Sequence, residues 1–168
     1  MSFHEVALDT TFELVNGVEA ELFAVPGKVP LFMEDRDVIT DLEGEQTVGV
    51  RLKTVRNQAW YIPGCAKLTD NLKSRLQDEA LVFFDGTVFE NDEMQRAKVG
   101  VKTGTRMGHI AMSGEHGSII EFSELNVQRK IYVHINNTNP VWNTSSEEHK
   151  IVKDAGWEIA FDGMEISQ

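Results

Sequence analysis

The chain has 168 residues, 41% of them hydrophobic and 26% charged, which is typical of one globular domain with a sizeable core. Its net charge of -11 disfavours nucleic-acid binding, and the single cysteine excludes both an internal disulfide and a cysteine-rich zinc site. The first residues lack a signal-peptide pattern and no apolar run approaches the ~18 residues of a membrane span, so we expect a soluble, cytoplasmic protein without a membrane partner.

The first third of the chain is predicted to be rich in β-strands. Predicted strands cover residues 11–15, 18–25, 29–34 and 46–52. The first two flank Asn16-Gly17, a dipeptide that predicts a tight hairpin. The acidic segment 34–45 is predicted to be a solvated loop.

From residue 58 onward the pattern changes to strands that alternate with helices. We predict strands near 58–62, 80–85, 130–135 and 157–161, and helices near 69–79, 118–125 and 146–155. The first helix has Thr69 or Asp70 as its N-cap, the second has Ser118, and the third opens with a capping-box spacing between Ser145 and Glu148. Segment 86–117 is predicted to be mostly loop, and loops of that length are often functional.

These elements predict a single layered α/β (α+β) domain over residues 1–168. A β-rich front joins a tail in which strands and helices alternate, with no obvious linker. This order favours a mixed β-sheet with helices mainly on one face.

Three polar side chains are candidates for a binding site. Asp85 directly follows one apolar run, His134 lies at the end of another, and His109 lies in the long loop. Ligand sites of α/β proteins gather beyond strand ends, and aspartate with neutral histidine suits zinc or ferrous iron. We expect Asp85 and His134 at the same edge of the sheet, with His109 bordering the same cleft. Simpler interpretations stay open, because Asp before Gly is typical of a turn and either histidine can be an ordinary residue of a strand end or loop. Cys65, after Pro-Gly, is more typical of a packed small residue than of a nucleophile.

Longer phrases of the sequence are more specific. In chain order they are VPGKVPLF, TVGVRL, YIPGCAKLTDNL, FFDGTVFENDEM, KTGTRMGHIAMSG, GSI, RKIYVHINNTNPV and AGWEIAFDGMEI. Together they resemble the second half of the coenzyme PQQ (pyrroloquinoline quinone) synthesis protein B family, a branch of the metallo-β-lactamase superfamily. The phrases HINNTNP and DGMEI are the most distinctive, and the resemblance covers about residues 11–166.

The resemblance implies an αββα sandwich, of which this chain supplies the C-terminal sheet and its helices. It assigns Asp85 and His134 as metal ligands and His109 as a catalytic or substrate-facing histidine beside the metal. It implies an iron(II)-dependent oxygenase that hydroxylates the tyrosine ring of a small PQQ precursor derived from a peptide with Glu and Tyr. Two other functions stay open: a carrier that helps to move PQQ or its precursor to the periplasm, and a zinc-dependent hydrolase.

The sequence also departs from the superfamily pattern in two respects. The first half of the family, with the early metal-binding motif and a cysteine-rich structural zinc site, is not present in this sequence. The segment AVPGKVPL lacks a histidine that binds metal in many superfamily members, and the family shares this difference, which argues against a standard dinuclear zinc hydrolase. We therefore expect an incomplete metal site, an inactive isolated chain, and either an N-terminal half or a second copy of the chain as partner.

Overall fold

In residues 3–28 and 39–167, which the computed structural model describes, seven strands form one mixed sheet in chain order. They are β1 (Thr11–Val15), β2 (Val18–Gly27), β3 (Leu42–Lys53), β4 (Gln58–Ile62), β5 (Leu81–Asp85), β6 (Arg129–Val133) and β7 (Trp157–Ile159). The first four strands pair antiparallel, and β4 to β7 pair in parallel. The predicted mixed sheet of an α/β protein is therefore confirmed.

The predicted hairpin joins β1 to β2. Asn16 and Gly17 have φ angles of +50° and +76°, the left-handed conformation that a two-residue hairpin turn requires. The predicted loop at 34–45 is wrong for residues 42–45, which begin β3, and residues 42–44 pair with Val25–Gly27 of β2. Pairing with a neighbouring strand offsets the weak strand propensity of these acidic residues, whose carboxylates stay in solvent. The predicted strand at 29–34 lies outside the described residues.

Five α-helices occur in the described part of the chain. They are α1 (Asp70–Leu76), α2 (Glu93–Arg96), α3 (Gly104–Met107), α4 (Ser118–Glu121) and α5 (Glu147–Asp154). The predicted loop at 86–117 therefore contains two short helices, α2 and α3, which the polar, glycine-rich sequence did not indicate. The strand predicted near 130–135 ends at Val133, and the strand predicted near 157–161 ends at Ile159, so both end two residues earlier than predicted.

Of the three predicted helix N-caps, the one of α1 is confirmed, and those of α4 and α5 differ from the prediction. Thr69 caps α1, and its hydroxyl accepts a hydrogen bond from Leu72 N at 3.3 Å. The predicted cap Ser118 is instead the first residue inside α4, and its buried hydroxyl lies 2.8 Å from Tyr132 Oη. Ser146, not Ser145, caps α5 by accepting from His149 N at 3.0 Å, so no capping box forms.

The helices cover one face of the sheet, as predicted. Leu72 and Leu76 of α1 and Val152 of α5 pack in one core with strand residues of that face. The strand residues of this core are Phe23, Val25, Trp60, Ile62, Val82, Phe84, Tyr132 and Trp157. Side chains alternate along a strand, so the residues between them point to the opposite face, where Leu52 and Tyr61 remain 36% and 41% exposed.

Candidate metal centre

The parallel strands bring the candidate residues to one edge of the sheet. Asp85 is the last residue of β5 and pairs with Val133, the last residue of β6. His134 follows directly, with a φ of +54° that is uncommon outside glycine. Such conformations persist where the surrounding structure enforces them, and they cluster at functional sites. Here the Thr87 hydroxyl lies 3.2 Å from the His134 carbonyl oxygen.

Asp85, His109 and His134 meet at this edge. One potential ligand atom from each lies within 4.8 Å of those of the others. Asp85 is fully buried, the His109 side chain is 19% exposed, and His134 is exposed. The two imidazole rings stack with centroids 5.3 Å apart and an angle of 23° between their planes. The three residues therefore converge as the sequence predicts, while their roles toward a metal stay predictions.

Four donors surround the Asp85 carboxylate. Its Oδ1 accepts from the backbone N of Thr87 at 3.0 Å and from the Thr87 hydroxyl at 2.6 Å. Its Oδ2 accepts from the backbone N of Cys65 at 2.9 Å and lies 2.7 Å from His109 Nδ1. This arrangement fixes the carboxylate in one orientation and couples it to the His109 ring, which is how a carboxylate commonly orients a histidine next to a metal.

Thr87 is the residue of this site that the sequence reasoning missed. Its side-chain oxygen lies 3.0 Å from His109 Nδ1 and 2.9 Å from His134 Nδ1, in addition to its bond to Asp85. It is 6% exposed. A hydroxyl two residues after an aspartate at a strand end is a common turn pattern, so the local signal for this contact was present but unspecific.

Cys65 contributes its backbone to the site, not its thiol. Burial raises the pKa of the Cys65 thiol, and the nearby Asp85 carboxylate raises it further. The thiol donates to the carbonyl oxygen of Lys67 at 3.1 Å. It is therefore a protonated, packed side chain, as the sequence suggested, and does not act as a thiolate.

Two buried polar residues join the loop after β6 to the loop after β5. Glu93 accepts from the Thr138 hydroxyl at 2.5 Å and from the backbone N of Phe89 at 2.7 Å. Asn139 donates to the carbonyl oxygen of Gly86 at 3.0 Å. Because one loop carries Thr87 and the other follows His134, these bonds hold the two sides of the site together.

Comparison with known proteins places this arrangement in a family. The sequence profile of the β-lactamase superfamily domain matches residues 1–135, which end just after His134. The chain belongs to the β-lactamase superfamily. Coenzyme PQQ synthesis protein B of Ruegeria pomeroyi is 55% identical over 96% of this chain, and that of Rhizobium meliloti is 51% identical over 96%. The predicted resemblance to this branch is confirmed.

Solved structures agree with the fold. Zn²⁺-bound PqqB from Methylobacterium extorquens is 47% identical, with a TM-score of 0.93 over 97% of this chain. The metallo-β-lactamase fold protein YhfI from Bacillus subtilis is 12% identical, with a TM-score of 0.59 over 98% of this chain. The first likeness extends to sequence and the second to the fold alone.

The chain spans about half the length of these relatives. It covers 54% of the Ruegeria protein, 53% of the Rhizobium protein and 55% of the Methylobacterium structure. Within residues 3–28 and 39–167, no helix is both long and apolar enough to cross a membrane.

Proposed function

We propose that this chain takes part in the biosynthesis of pyrroloquinoline quinone as the metal-binding C-terminal part of a protein like its relatives. The observation that carries this proposal is the convergence of Asp85, His109 and His134 at the edge of the sheet. Relatives named for PQQ synthesis support it, because they are about half identical to the chain over nearly all of its length.

The donor set fits a divalent metal ion. One carboxylate and two imidazoles suit zinc and ferrous iron alike. We propose that Asp85 and His134 hold the ion and that His109 faces the substrate beside it. A bound ferrous ion would supply the activation of dioxygen that hydroxylation of an aromatic ring requires.

The residues of this chain then have distinct tasks in the proposed hydroxylation of a tyrosine ring. Among the described residues, none forms a hydrogen bond with Nε2 of His109 or His134, while Nδ1 of each ring contacts the interior of the site. His109 is therefore placed to hold a proton at Nδ1 toward Asp85 and to present Nε2 to a substrate. Its partial exposure makes it reachable from solvent.

A zinc-dependent hydrolase is the second candidate, and one observation favours it. The structure of the Methylobacterium relative carries Zn²⁺. The same three residues would serve that chemistry, because zinc accepts the same donor set.

We further propose that a partner segment equivalent to the rest of the relatives covers the open face of the sheet. Leu52 and Tyr61 are more than one-third exposed there, and Phe83, which pairs with Tyr61 on the neighbouring strand, is partly exposed. A segment that packs on this face would also bring further ligands to a site that offers few from this chain.

The test combines this chain with the polypeptide that supplies the remaining part of the Ruegeria relative. The mixture is loaded with ferrous iron or with zinc and is given a peptide-derived precursor that contains tyrosine. Oxygen consumption and a hydroxylated product with iron alone would support the oxygenase, and both should disappear in Asp85→Ala and His134→Ala. Turnover with zinc and without oxygen would favour the hydrolase, and binding of PQQ without any turnover would favour the carrier.

A further inference from the structure

We propose that Thr87 is a positioning residue that sets the tautomer of both site histidines. Its hydroxyl holds Nδ1 of His109 and Nδ1 of His134 in their protonated form, so that Nε2 of each ring keeps the lone pair available to a ligand. The proposal rests on the proposed metal site only for the identity of that ligand.

The number of hydrogen bonds that one hydroxyl can make limits how Thr87 can be arranged among its neighbours. A threonine hydroxyl has one proton to donate and two lone pairs that accept. The Thr87 oxygen lies 2.6 Å from Asp85 Oδ1, 2.9 Å from His134 Nδ1 and 3.0 Å from His109 Nδ1. A fourth neighbour, the His134 carbonyl oxygen, is farther away at 3.2 Å, so the three closest neighbours match the three hydrogen-bonding positions of the hydroxyl.

The carboxylate decides where the single proton goes. An ionised carboxylate only accepts, and its contact with the Thr87 oxygen is the shortest of the three. If the hydroxyl donated instead to an imidazole or to the His134 carbonyl oxygen, two oxygens without a proton between them would face each other at 2.6 Å in a buried site. The hydroxyl therefore donates to Asp85 and must accept from the imidazoles, which requires a proton on their Nδ1 atoms.

The two histidines differ in how strongly they depend on Thr87. His109 Nδ1 also lies 2.7 Å from Asp85 Oδ2, so it has a second acceptor. For His134 Nδ1, Thr87 is the acceptor within hydrogen-bond distance in the described part of the chain. Loss of the hydroxyl should therefore allow the proton of His134 to move from Nδ1 to Nε2, whereas His109 should keep its Nδ1 proton.

Thr87 is itself held in place by the backbone. Its N–H donates to Asp85 Oδ1 at 3.0 Å, and its carbonyl oxygen accepts from the backbone N of Asn136 at 3.1 Å. Thr87→Val keeps the branched shape of the side chain and removes the hydroxyl. Thr87→Ser keeps the hydroxyl and removes one methyl group.

The test is a two-bond ¹H–¹⁵N correlation spectrum of the metal-free 168-residue chain at about pH 8, where an ordinary imidazole is neutral. We expect the wild type to carry the Nδ1 proton on His109 and His134. In Thr87→Val we expect His134 to change to the Nε2–H form that free imidazole prefers, whereas in Thr87→Ser it should not. His149 is the internal standard for the Nδ1–H form, since its Nδ1 lies 2.8 Å from the carbonyl oxygen of Val141. His4, an exposed residue ahead of the first strand, is the reference for an imidazole at the surface.

A wild-type spectrum with His134 in the Nε2–H form would overturn the proposal, and this result does not depend on whether a variant folds. Retention of the Nδ1–H form in folded Thr87→Val would also overturn it. Zinc titration of the same samples separates the role proposed for Thr87 from the proposed metal site. If the tautomers behave as expected but no zinc binds, the proposed metal site fails and the role of Thr87 stands. If zinc binds, we expect Thr87→Val to weaken it by about 10–100-fold and Thr87→Ser to restore it.

Discussion

The Asp85 carboxylate is expected to be a strong determinant of fold stability even without metal. It is fully buried and accepts from two backbone N–H groups, those of Cys65 and Thr87. In Asp85→Asn, an NH₂ group must replace one of the two oxygens. In either orientation it faces one of these backbone N–H groups, and a backbone N–H cannot become an acceptor. The Thr87 hydroxyl and the His109 ring can adapt, because each has an acceptor form.

The magnitude follows from the one buried N–H that loses its acceptor. A buried donor without a partner costs about 1–3 kcal/mol, so Asp85→Asn should lower the free energy of unfolding by that amount. The assay is urea denaturation of the metal-free chain at neutral pH, with an unchanged m-value as the check on two-state behaviour. Asp154→Asn is the matched control, since the Asp154 side chain is 64% exposed and should change stability by less than about 0.5 kcal/mol. An Asp85→Asn variant as stable as this control would refute the hydrogen-bond arrangement described for the site.

Three further variants test the surroundings of the site. His134→Ala should be less stable than His134→Gly by about 0.5–1 kcal/mol, because glycine adopts a φ of +54° without backbone strain and alanine does not. The reverse order of stability in urea denaturation would contradict this. Burial raises the pKa of Glu93, so charging it costs the folded state stability as pH rises from its ordinary value of about 4.3 through the raised value. The stability of Glu93→Gln relative to wild type should therefore increase over that pH range, and a constant difference would exclude this linkage. Gly86→Ala would place a Cβ 3.0 Å from Tyr132 Cβ and should cost about 1–3 kcal/mol, which an unchanged thermal midpoint would disprove.

Local sequence signals predicted the parts of the fold that depend on nearest neighbours. Asn16-Gly17 forms a turn because few residues other than glycine and asparagine adopt its backbone conformation easily. Thr69 begins α1 because its hydroxyl satisfies a backbone N–H of the first turn. Asp85 and His134 were placed correctly at one edge, because the ends of adjacent parallel strands meet there.

The features that the sequence did not predict depend on contacts between distant segments. Residues 42–45 join β3 because β2 offers them hydrogen bonds, although their acidic composition is typical of a loop. Ser118 lies inside α4 because its hydroxyl pairs with Tyr132, a residue of a different element. The role of Thr87 arises from three partners that lie 2, 22 and 47 residues away along the chain. Single-residue propensities carry no information about such convergence.

A zinc titration of this chain, followed by competition with a chromophoric chelator, tests the proposed metal centre most directly. We predict one zinc ion per chain, bound weakly enough that a strong chelator removes it, since this chain offers few ligands. Asp85→Ala and His134→Ala should each weaken binding at least about tenfold. His116→Ala, in which an exposed imidazole is lost, should bind zinc like the wild type. Equal zinc affinity in the wild type and in folded Asp85→Ala and His134→Ala would contradict the assignment of the metal centre.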